Sequence, residues 1–262
     1  MDWLDTLDKI ARLAGAIALR HFRTGIAVDT KADGSPVTIA DRAAEDAARE
    51  WITRQFPEDA ILGEERGQSG PPNALRRWVI DPIDGTKSYI RGVPLWGTMI
   101  GVLQQDDVIA GTVFCPATNE IVVAAQDAGC WYQGSRCRVS SVSELSAATI
   151  LTTEERFRGH PERQQHWLAL SRQVAVARSW GDCYGYVLVA TGRAEAMVDN
   201  RLGLWDYAPL VPIIREAGGM ITDWRGSATF GGDAIATNHA LATQIRSALI
   251  QPAASSMDAS PG

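Results

Sequence analysis

The sequence predicts an α+β protein from three observations. Two helical stripes of apolar residues occupy the N-terminal region, short β-rich runs dominate between Trp78 and Ser140, and helices alternate with strands after Ser141. The chain has 262 residues, of which 45% are hydrophobic, and this suffices for a sizeable core. We expect an N-terminal half over 1–140, a C-terminal half over 141–250 and a disordered tail over 251–262.

The N-terminal half begins with two predicted helices. Apolar residues recur at helical spacing from Trp3 to Ala18, and "KADGSPVT" ends this helix. A second stripe runs from about Ile39 to Phe56, with Asp41 in its first turn.

A meandering, mostly antiparallel sheet is predicted to follow, because turn signals such as Gln105-Asp106 separate short β-rich runs. The runs are "WVID", "GTMIGVL", "VIAGTVFCP", "EIVVAAQ" and "CRVS". The C-terminal half is predicted to contain helices near 162–173, 184–191 and 210–217 and strands near 194–198 and 220–222.

Composition points to a small ligand or a metal as the partner. A net charge of -6, a pI near 5.3 and the lack of a Lys/Arg-rich run argue against nucleic acid. The opening "MDWLDTLDKIARLAGAIALRHF" is typical of neither a signal peptide nor a membrane span, so we expect a cytoplasmic protein without a membrane partner.

The four cysteines form no CxxC pair and show no zinc spacing, which indicates reduced thiols. In "CWYQGSRC", a two-residue turn at Gln133-Gly134 would place Cys130 opposite Cys137. The two cysteines are then either a redox pair or simply small strand residues.

The stretch "DPIDGT" places two aspartates where a predicted buried strand ends. Pro82 favours an extended Asp81 and Gly85 marks a turn, so Asp81 and Asp84 could converge. Two close carboxylates need a cation, a shared proton or wide separation, and hard oxygen ligands suit Mg²⁺. The alternative is an ordinary turn in which Asp84 caps a short helix at Thr86.

Two further motifs add acids to this set. "LGEERG" places Glu64 and Glu65 after an apolar pair, and "GLWDYAPLVPIIREAGG" places Asp206 at the start of a helix. Each has a simpler explanation as well, Glu64 as a solvated loop acid and Asp206 as a helix N-cap.

The order "GEE", "DPIDGT", "WDYAPLVPIIREAGG" resembles the inositol monophosphatase family of Mg²⁺-dependent sugar-type phosphatases. The resemblance covers nearly the whole chain and includes "PVTIADRAAE" and "AGCWYQGSRCRVS". It implies a layered α-β-α-β-α sandwich of the kind that fructose-1,6-bisphosphatase also has. It further implies a homodimer and a small phosphorylated metabolite as substrate.

Carried onto this sequence, the resemblance implies two or three Mg²⁺ ions and a water-activating pair made of Thr86 and Asp41. The implied metal ligands are Glu64, which also counts among the catalytic groups, Asp81, the Ile83 carbonyl, Asp84 and Asp206. Asp81 would bridge two ions. Gly85 and Thr86 open a short helix whose free N–H groups could receive phosphate oxygens. The scattered histidines are expected to be structural or solvated.

The implied substrate-binding residues are Gly181, Asp182 and Asp199 in "RSWGDCYGYVLVATGRAEAMVDN", although Asp182 could simply cap a helix. Asp199 replaces the family's usual Glu. Within the family, "DPIDGTKSYIRGVP" looks most like histidinol-phosphate phosphatases, whose substrate carries an ammonium group that acids would attract. An inositol phosphate or nucleotide 3′-phosphate substrate and an inactive binding relative stay open, as does the position of Arg91.

Overall fold

A computed structural model describes residues 2–32 and 34–250; the expected tail over 251–262 lies outside the described residues. The described helices are α1 (Trp3–His21), α2 (Ile39–Gln55), α3 (Thr86–Tyr89), α4 (Pro161–Ser171), α5 (Asp182–Ala190), α6 (Leu204–Glu216) and α7 (Ala242–Ile250), and a 3₁₀ turn covers Leu145–Ala147. Within these described ranges, no helix combines the length and apolarity needed to cross a membrane.

The larger sheet has eight strands in the order β10-β9-β8-β7-β6-β5-β3-β4. They are β3 (Ala60–Gly63), β4 (Gly67–Ser69), β5 (Arg76–Asp84), β6 (Gly97–Gln104), β7 (Asp107–Cys115), β8 (Glu120–Ala125), β9 (Gly129–Tyr132) and β10 (Ser135–Arg136). All neighbours are antiparallel except β3 and β5. The predicted antiparallel meander is therefore confirmed.

The smaller sheet has five strands in the order β12-β11-β13-β15-β14. They are β11 (Thr149–Thr152), β12 (Val176–Arg178), β13 (Ala196–Asp199), β14 (Met220–Thr222) and β15 (Ala234–Thr237). The β11–β12 and β11–β13 pairs are parallel, whereas β15 pairs antiparallel with both β13 and β14. A separate hairpin joins β1 (Val28–Thr30) to β2 (Pro36–Thr38) just before α2.

Helices and sheets alternate in five layers. The apolar stripes of α1 and α2 pack on one face of the larger sheet, where Ile10 and Ile52 share a core with Ile80. The opposite face packs against α5 and α6, which also contact the smaller sheet; Val187 and Leu210 share this core with Met197. Helices α4 and α7 cover the outer face of the smaller sheet. The predicted layered α-β-α-β-α sandwich is confirmed.

Two local predictions are wrong. "CRVS" is not a strand, because β10 ends at Arg136 and the Val139 N–H then donates to the Ala217 carbonyl at the end of α6. Helix α6 begins at Leu204 rather than near 210, because its first turn is closed by Asp206, whose carboxylate accepts the Gly203 N–H at 2.7 Å. Strands β1 to β4, β11, β12 and β15 and helix α7 were not predicted.

Candidate active site

An irregularity in β5 places Asp81 and Asp84 on the same face of the larger sheet. In a regular strand, residues three apart face opposite sides. Here Asp81 pairs with Met99 and Asp84 with Gly97, so one extra residue is inserted between them. Ile80 and Ile83 consequently both face the core under α1 and α2, and the two aspartates face the α5–α6 layer.

Asp206 completes a group of three carboxylates. One oxygen from each of Asp81, Asp84 and Asp206 lies within 4.8 Å of the others, a spacing at which they could hold a metal ion. Asp81 is only 2% exposed, whereas Asp84 and Asp206 are half-buried. We call these three residues the acidic cluster. The convergence expected from the sequence is therefore present, and it includes an acid from the C-terminal half.

The pKa of every member of the acidic cluster is raised. Burial and the charges of Glu64 and Asp206 raise the pKa of Asp81 well above its ordinary value. Burial, followed by the charge of Asp206, raises the pKa of Asp84 to about 8. Burial also raises the pKa of Asp206 to about 6, against its hydrogen bonds with Asp81 and the Gly203 N–H. Without a cation, ionising all three carboxylates is unfavourable.

Neither aspartate of "DPIDGT" serves as a helix cap. The N-cap of α3 is Gly85, whose φ of 83° is left-handed, and Asp84 makes no capping bond there. Asp81 instead accepts the Ile83 N–H at 2.9 Å, which closes the turn. The Ile83 carbonyl accepts the Thr86 hydroxyl at 3.0 Å.

Glu64 lies beside the acidic cluster rather than within it. It follows β3, and its N–H donates to the Ile80 carbonyl of β5 at 3.1 Å. Its charge raises the pKa of both Asp81 and Asp206, so it lies close enough to act on them. The Lys31 ammonium lies 2.7 Å from the Glu64 carboxylate and also pairs with Glu65.

Asp41 and Thr86 each have other hydrogen-bond partners. The Asp41 carboxylate accepts the N–H and the hydroxyl of Thr38 at 2.7 and 2.6 Å, closing a capping box at the start of α2. Burial is the main cause that raises the pKa of Asp41, with a contribution from the charge of Glu64. Thr86 bonds to Ile83, as described above. The pairing of Asp41 with Thr86 implied by the resemblance therefore stays a prediction.

A cavity of about 310 Å³ opens beside the acidic cluster. Asp84 and Asp206 line it, and Glu154, Asp182 and Asp199 bring three more acids. Basic side chains also line it: Lys87, Arg158 and Arg201. Asp84, Asp206 and both predicted substrate acids thus line a single cavity.

The start of α5 is held at the cavity by a close backbone contact. A Cβ on Gly181 would lie 2.3 Å from the Thr153 Cα, so only glycine fits there. Asp182 is the first helical residue, its φ of 51° is left-handed, and its N–H donates to the Thr153 hydroxyl at 2.8 Å. The N-cap is Gly181, so the alternative that Asp182 caps the helix is wrong.

The Asp199 carboxylate already has hydrogen-bond donors within the protein. It is 5% exposed, and its two carboxylate oxygens accept the Thr153 N–H at 3.1 Å and the Tyr186 hydroxyl at 2.9 Å. Burial raises its pKa against these hydrogen bonds. Asp182 is less enclosed, and burial with the charges of Asp84 and Asp199 raises its pKa well above the ordinary value.

Sequence reasoning missed three contributors to this site. The Cys183 N–H donates to Asp84, Tyr186 donates to Asp199, and Lys87 lines the cavity. Only Lys87 carried a signal, since it follows "DGT" directly. Arg91 lies outside this cavity and lines a second one with Thr30 and Ser88.

Fold and site together define an enzyme of layered α+β architecture whose acidic cluster can hold a cation beside a cavity for a small polar ligand. The chain belongs to the inositol monophosphatase family, whose model matches residues 2–257, and it is a phosphatase.

Curated relatives and solved structures agree with this assignment. Over 244 residues the chain is 39% identical to a histidinol-phosphatase of Chlorobaculum parvum, covering 92% of this chain and 94% of the relative. It is 36% identical to a histidinol-phosphatase of Mycobacterium tuberculosis, covering 92% of each. The extragenic suppressor protein suhB from Bartonella henselae is similar with a TM-score of 0.88 at 26% identity, covering 94% of this chain and 97% of that one.

Proposed function

We propose that this protein is a Mg²⁺-dependent phosphomonoesterase that hydrolyses histidinol phosphate to histidinol and phosphate. The observation that carries the proposal is the acidic cluster: three carboxylates with raised pKa values within 4.8 Å of one another, open to a cavity. Such a cluster is stable in the ionised form only with a cation present.

The donor set fits Mg²⁺. Asp81, Asp84, Asp206 and the neighbouring Glu64 offer hard carboxylate oxygens, and the Ile83 carbonyl offers another. Since these donors include neither sulfur nor imidazole, the set favours Mg²⁺ over softer metals. We propose that these five residues would hold two or three Mg²⁺ ions, with Asp81 contributing to more than one of them. When bound, Mg²⁺ would supply an acidified water and charge neutralisation at the phosphate.

The chain's own groups would bind and orient the ester. The first N–H groups of a helix lack acceptors within the helix, so the Gly85–Thr86 start of α3 can donate to phosphate oxygens. Lys87 adds a positive charge at the same cavity. Thr86 and Asp41 are proposed to hold the attacking water, with Glu64 assisting. To hold the water, the Thr86 hydroxyl would exchange its hydrogen bond to the Ile83 carbonyl for one to the water.

Asp182 is proposed to recognise the ammonium group of histidinol phosphate, with Asp199 and Gly181 shaping the pocket. In the free protein, the nearby acids and burial disfavour the charge on Asp182, and a bound cation would stabilise that charge. The two histidinol-phosphatase relatives support this ester. We also propose that the protein is cytoplasmic and forms a homodimer. Sedimentation of the purified chain would test the homodimer.

A substrate panel tests the proposal. Purified protein is assayed with histidinol phosphate, inositol 1-phosphate, fructose 1,6-bisphosphate and adenosine 3′,5′-bisphosphate, in Mg²⁺ and in EDTA. We expect the highest kcat/KM for histidinol phosphate and no turnover in EDTA. A preference for another ester would overturn the assignment of histidinol phosphate as the substrate. A lack of turnover on all four esters would favour an inactive binding relative.

A further inference from the structure

The β9–β10 hairpin brings two thiols together. Tyr132 lies opposite Ser135, and Trp131 lies opposite Arg136. On the next rung the Cys137 N–H donates to the Cys130 carbonyl at 3.0 Å, and the two Sγ atoms are 3.4 Å apart. Both cysteines are free thiols. The opposition expected from the sequence is confirmed.

The turn holds this register. Gln133 and Gly134 have φ values of 51° and 77°, as a two-residue type I′ turn requires. Hydrogen-bonded antiparallel pairs have Cα atoms about 5.5 Å apart, and disulfides accept Cα separations of about 4.4–6.8 Å. Bridging Cys130 to Cys137 therefore needs rotation of the side chains and no change of register.

We propose that Cys130 and Cys137 are an oxidant-sensitive dithiol that closes to an intramolecular disulfide. The inference is independent of the proposed substrate and metal. Neither Cys130 nor Cys137 lines the cavity beside the acidic cluster.

The two thiols differ in access and acidity. Cys137 is half-exposed, and its contact with Cys130 together with the charge of Arg193 lowers its pKa. Cys130 is 1% exposed, and its contact with Cys137 and its burial raise its pKa. Because the thiolate is the attacking species, Cys137 reacts first and Cys130 resolves the intermediate.

The co-reactant is a small disulfide such as oxidised glutathione. The Cys137 thiolate attacks one of its sulfurs, which forms a mixed disulfide and expels one glutathione thiolate. Cys130 releases its proton to solvent and attacks the Cys137 Sγ, which expels the second glutathione. One small disulfide is thereby reduced to two thiols while the protein loses two hydrogen atoms and gains one S–S bond.

The test treats the folded full-length chain with oxidised glutathione at neutral pH, then alkylates the remaining thiols in denaturant. Trypsin cleaves after Arg136 and Arg138, so the bridged product keeps the Cys137-Arg138 dipeptide on the peptide that carries Cys130. We expect loss of two of the four free thiols, reversed by dithiothreitol. That peptide also carries Cys115, so the matched control is Cys115→Ala, which should react like the wild type.

The single variants separate the roles of the two thiols. Cys130→Ser should keep glutathione on Cys137, because no resolving thiol is left, and Cys137→Ser should keep all its remaining thiols. Retention of four alkylatable thiols by the wild type would overturn the proposal. So would a bridge that disappears in Cys115→Ala, since it would then involve a different pair.

Discussion

The main-chain N–H of Cys183 donates a hydrogen bond to the Asp84 carboxylate, joining residues that are 99 positions apart in the chain. Cys183 lies in the first turn of α5, and Asp84 ends β5. Burial is the main cause that raises the pKa of Asp84, and this hydrogen bond opposes it. The first turn of a helix from the C-terminal half therefore helps to hold a carboxylate of the larger sheet in place.

Removing the central carboxylate should abolish hydrolysis without unfolding the protein. Asp81→Asn keeps the side-chain volume but removes a charge that Glu64, Asp206 and Asp84 repel. We expect turnover to fall by at least about a hundredfold and the metal-free protein to gain stability, because repulsion is relieved. Activity at saturating Mg²⁺ and thermal unfolding in EDTA are the measurements.

The control for this variant is Asp106→Asn, which alters an exposed acid in the β6–β7 turn. Asp106→Asn should change neither the activity at saturating Mg²⁺ nor the thermal unfolding in EDTA. Near-normal turnover of Asp81→Asn at saturating Mg²⁺ would refute the metal role.

The stability of the metal-free protein should fall as pH rises. Folding raises the pKa of Asp84 to about 8 and that of Asp206 to about 6, mainly through burial. Between the unfolded value near 4 and these values, the folded state binds more protons than the unfolded state, so the free energy of unfolding decreases with pH. A bound cation removes this penalty.

We therefore expect Mg²⁺ to raise the melting temperature more at pH 8 than at pH 5. Thermal unfolding at a series of pH values, with Mg²⁺ or EDTA, measures this difference. Asp84→Asn should flatten the pH dependence in EDTA. An Mg²⁺ shift that is equal at both pH values would contradict the prediction.

Asp182→Asn should reduce discrimination between esters. A charge-assisted contact to an ammonium group contributes about 1.5–3 kcal/mol, so selectivity for histidinol phosphate over inositol 1-phosphate should fall roughly ten- to a hundredfold. The half-buried Asp182 makes no capping bond in α5, so loss of a cap would not confuse the result. The measurement is kcat/KM for both esters.

Asp199→Asn is the comparison for this prediction. Its carboxylate accepts hydrogen bonds from Thr153 and Tyr186, so the substitution also disturbs the cavity wall. If it faces the ammonium group as well, selectivity should fall in the same direction. Equal losses on the two esters in both variants would mean that these acids support the site generally, and cation recognition would be abandoned.

Gly85→Ala should impair both stability and activity. Gly85 has a left-handed φ of 83°, and an added Cβ would lie 2.9 Å from the Leu95 carbonyl oxygen and 3.1 Å from the Asp182 carboxylate. Gly134→Ala is the matched control, because φ there is 77° with open space around the Cβ position. The left-handed backbone costs each alanine about 1–2 kcal/mol.

The clash should therefore make Gly85→Ala the more destabilising variant, and only this variant should lower kcat/KM. Denaturant unfolding and steady-state assays check both points. Equal loss of stability in the two variants would show that the backbone at Gly85 relaxes around the new methyl group.

Several features were determined by the sequence alone. The period of α1 and α2, the antiparallel meander and the Gln133-Gly134 turn follow from apolar spacing and turn chemistry, which act between residues close in the chain. The ordered acidic motifs also identify the family, because three motifs in one order are far more specific than any single motif.

Only the tertiary structure decided how those acids meet. The inserted residue in β5 that turns Asp84 toward Asp81, the arrival of Asp206 on α6 and the Cys183 N–H at Asp84 all depend on packing α5 and α6 between the two sheets. Local propensity carries no information about such distant contacts, because they form when buried faces of the sheets and helices pack together. The partners of Glu64 and Asp199 could not be read from the sequence either, since Lys31, Thr153 and Tyr186 come from separate elements. The partner of Asp41 is local, because Thr38 lies three positions earlier in the capping box of α2.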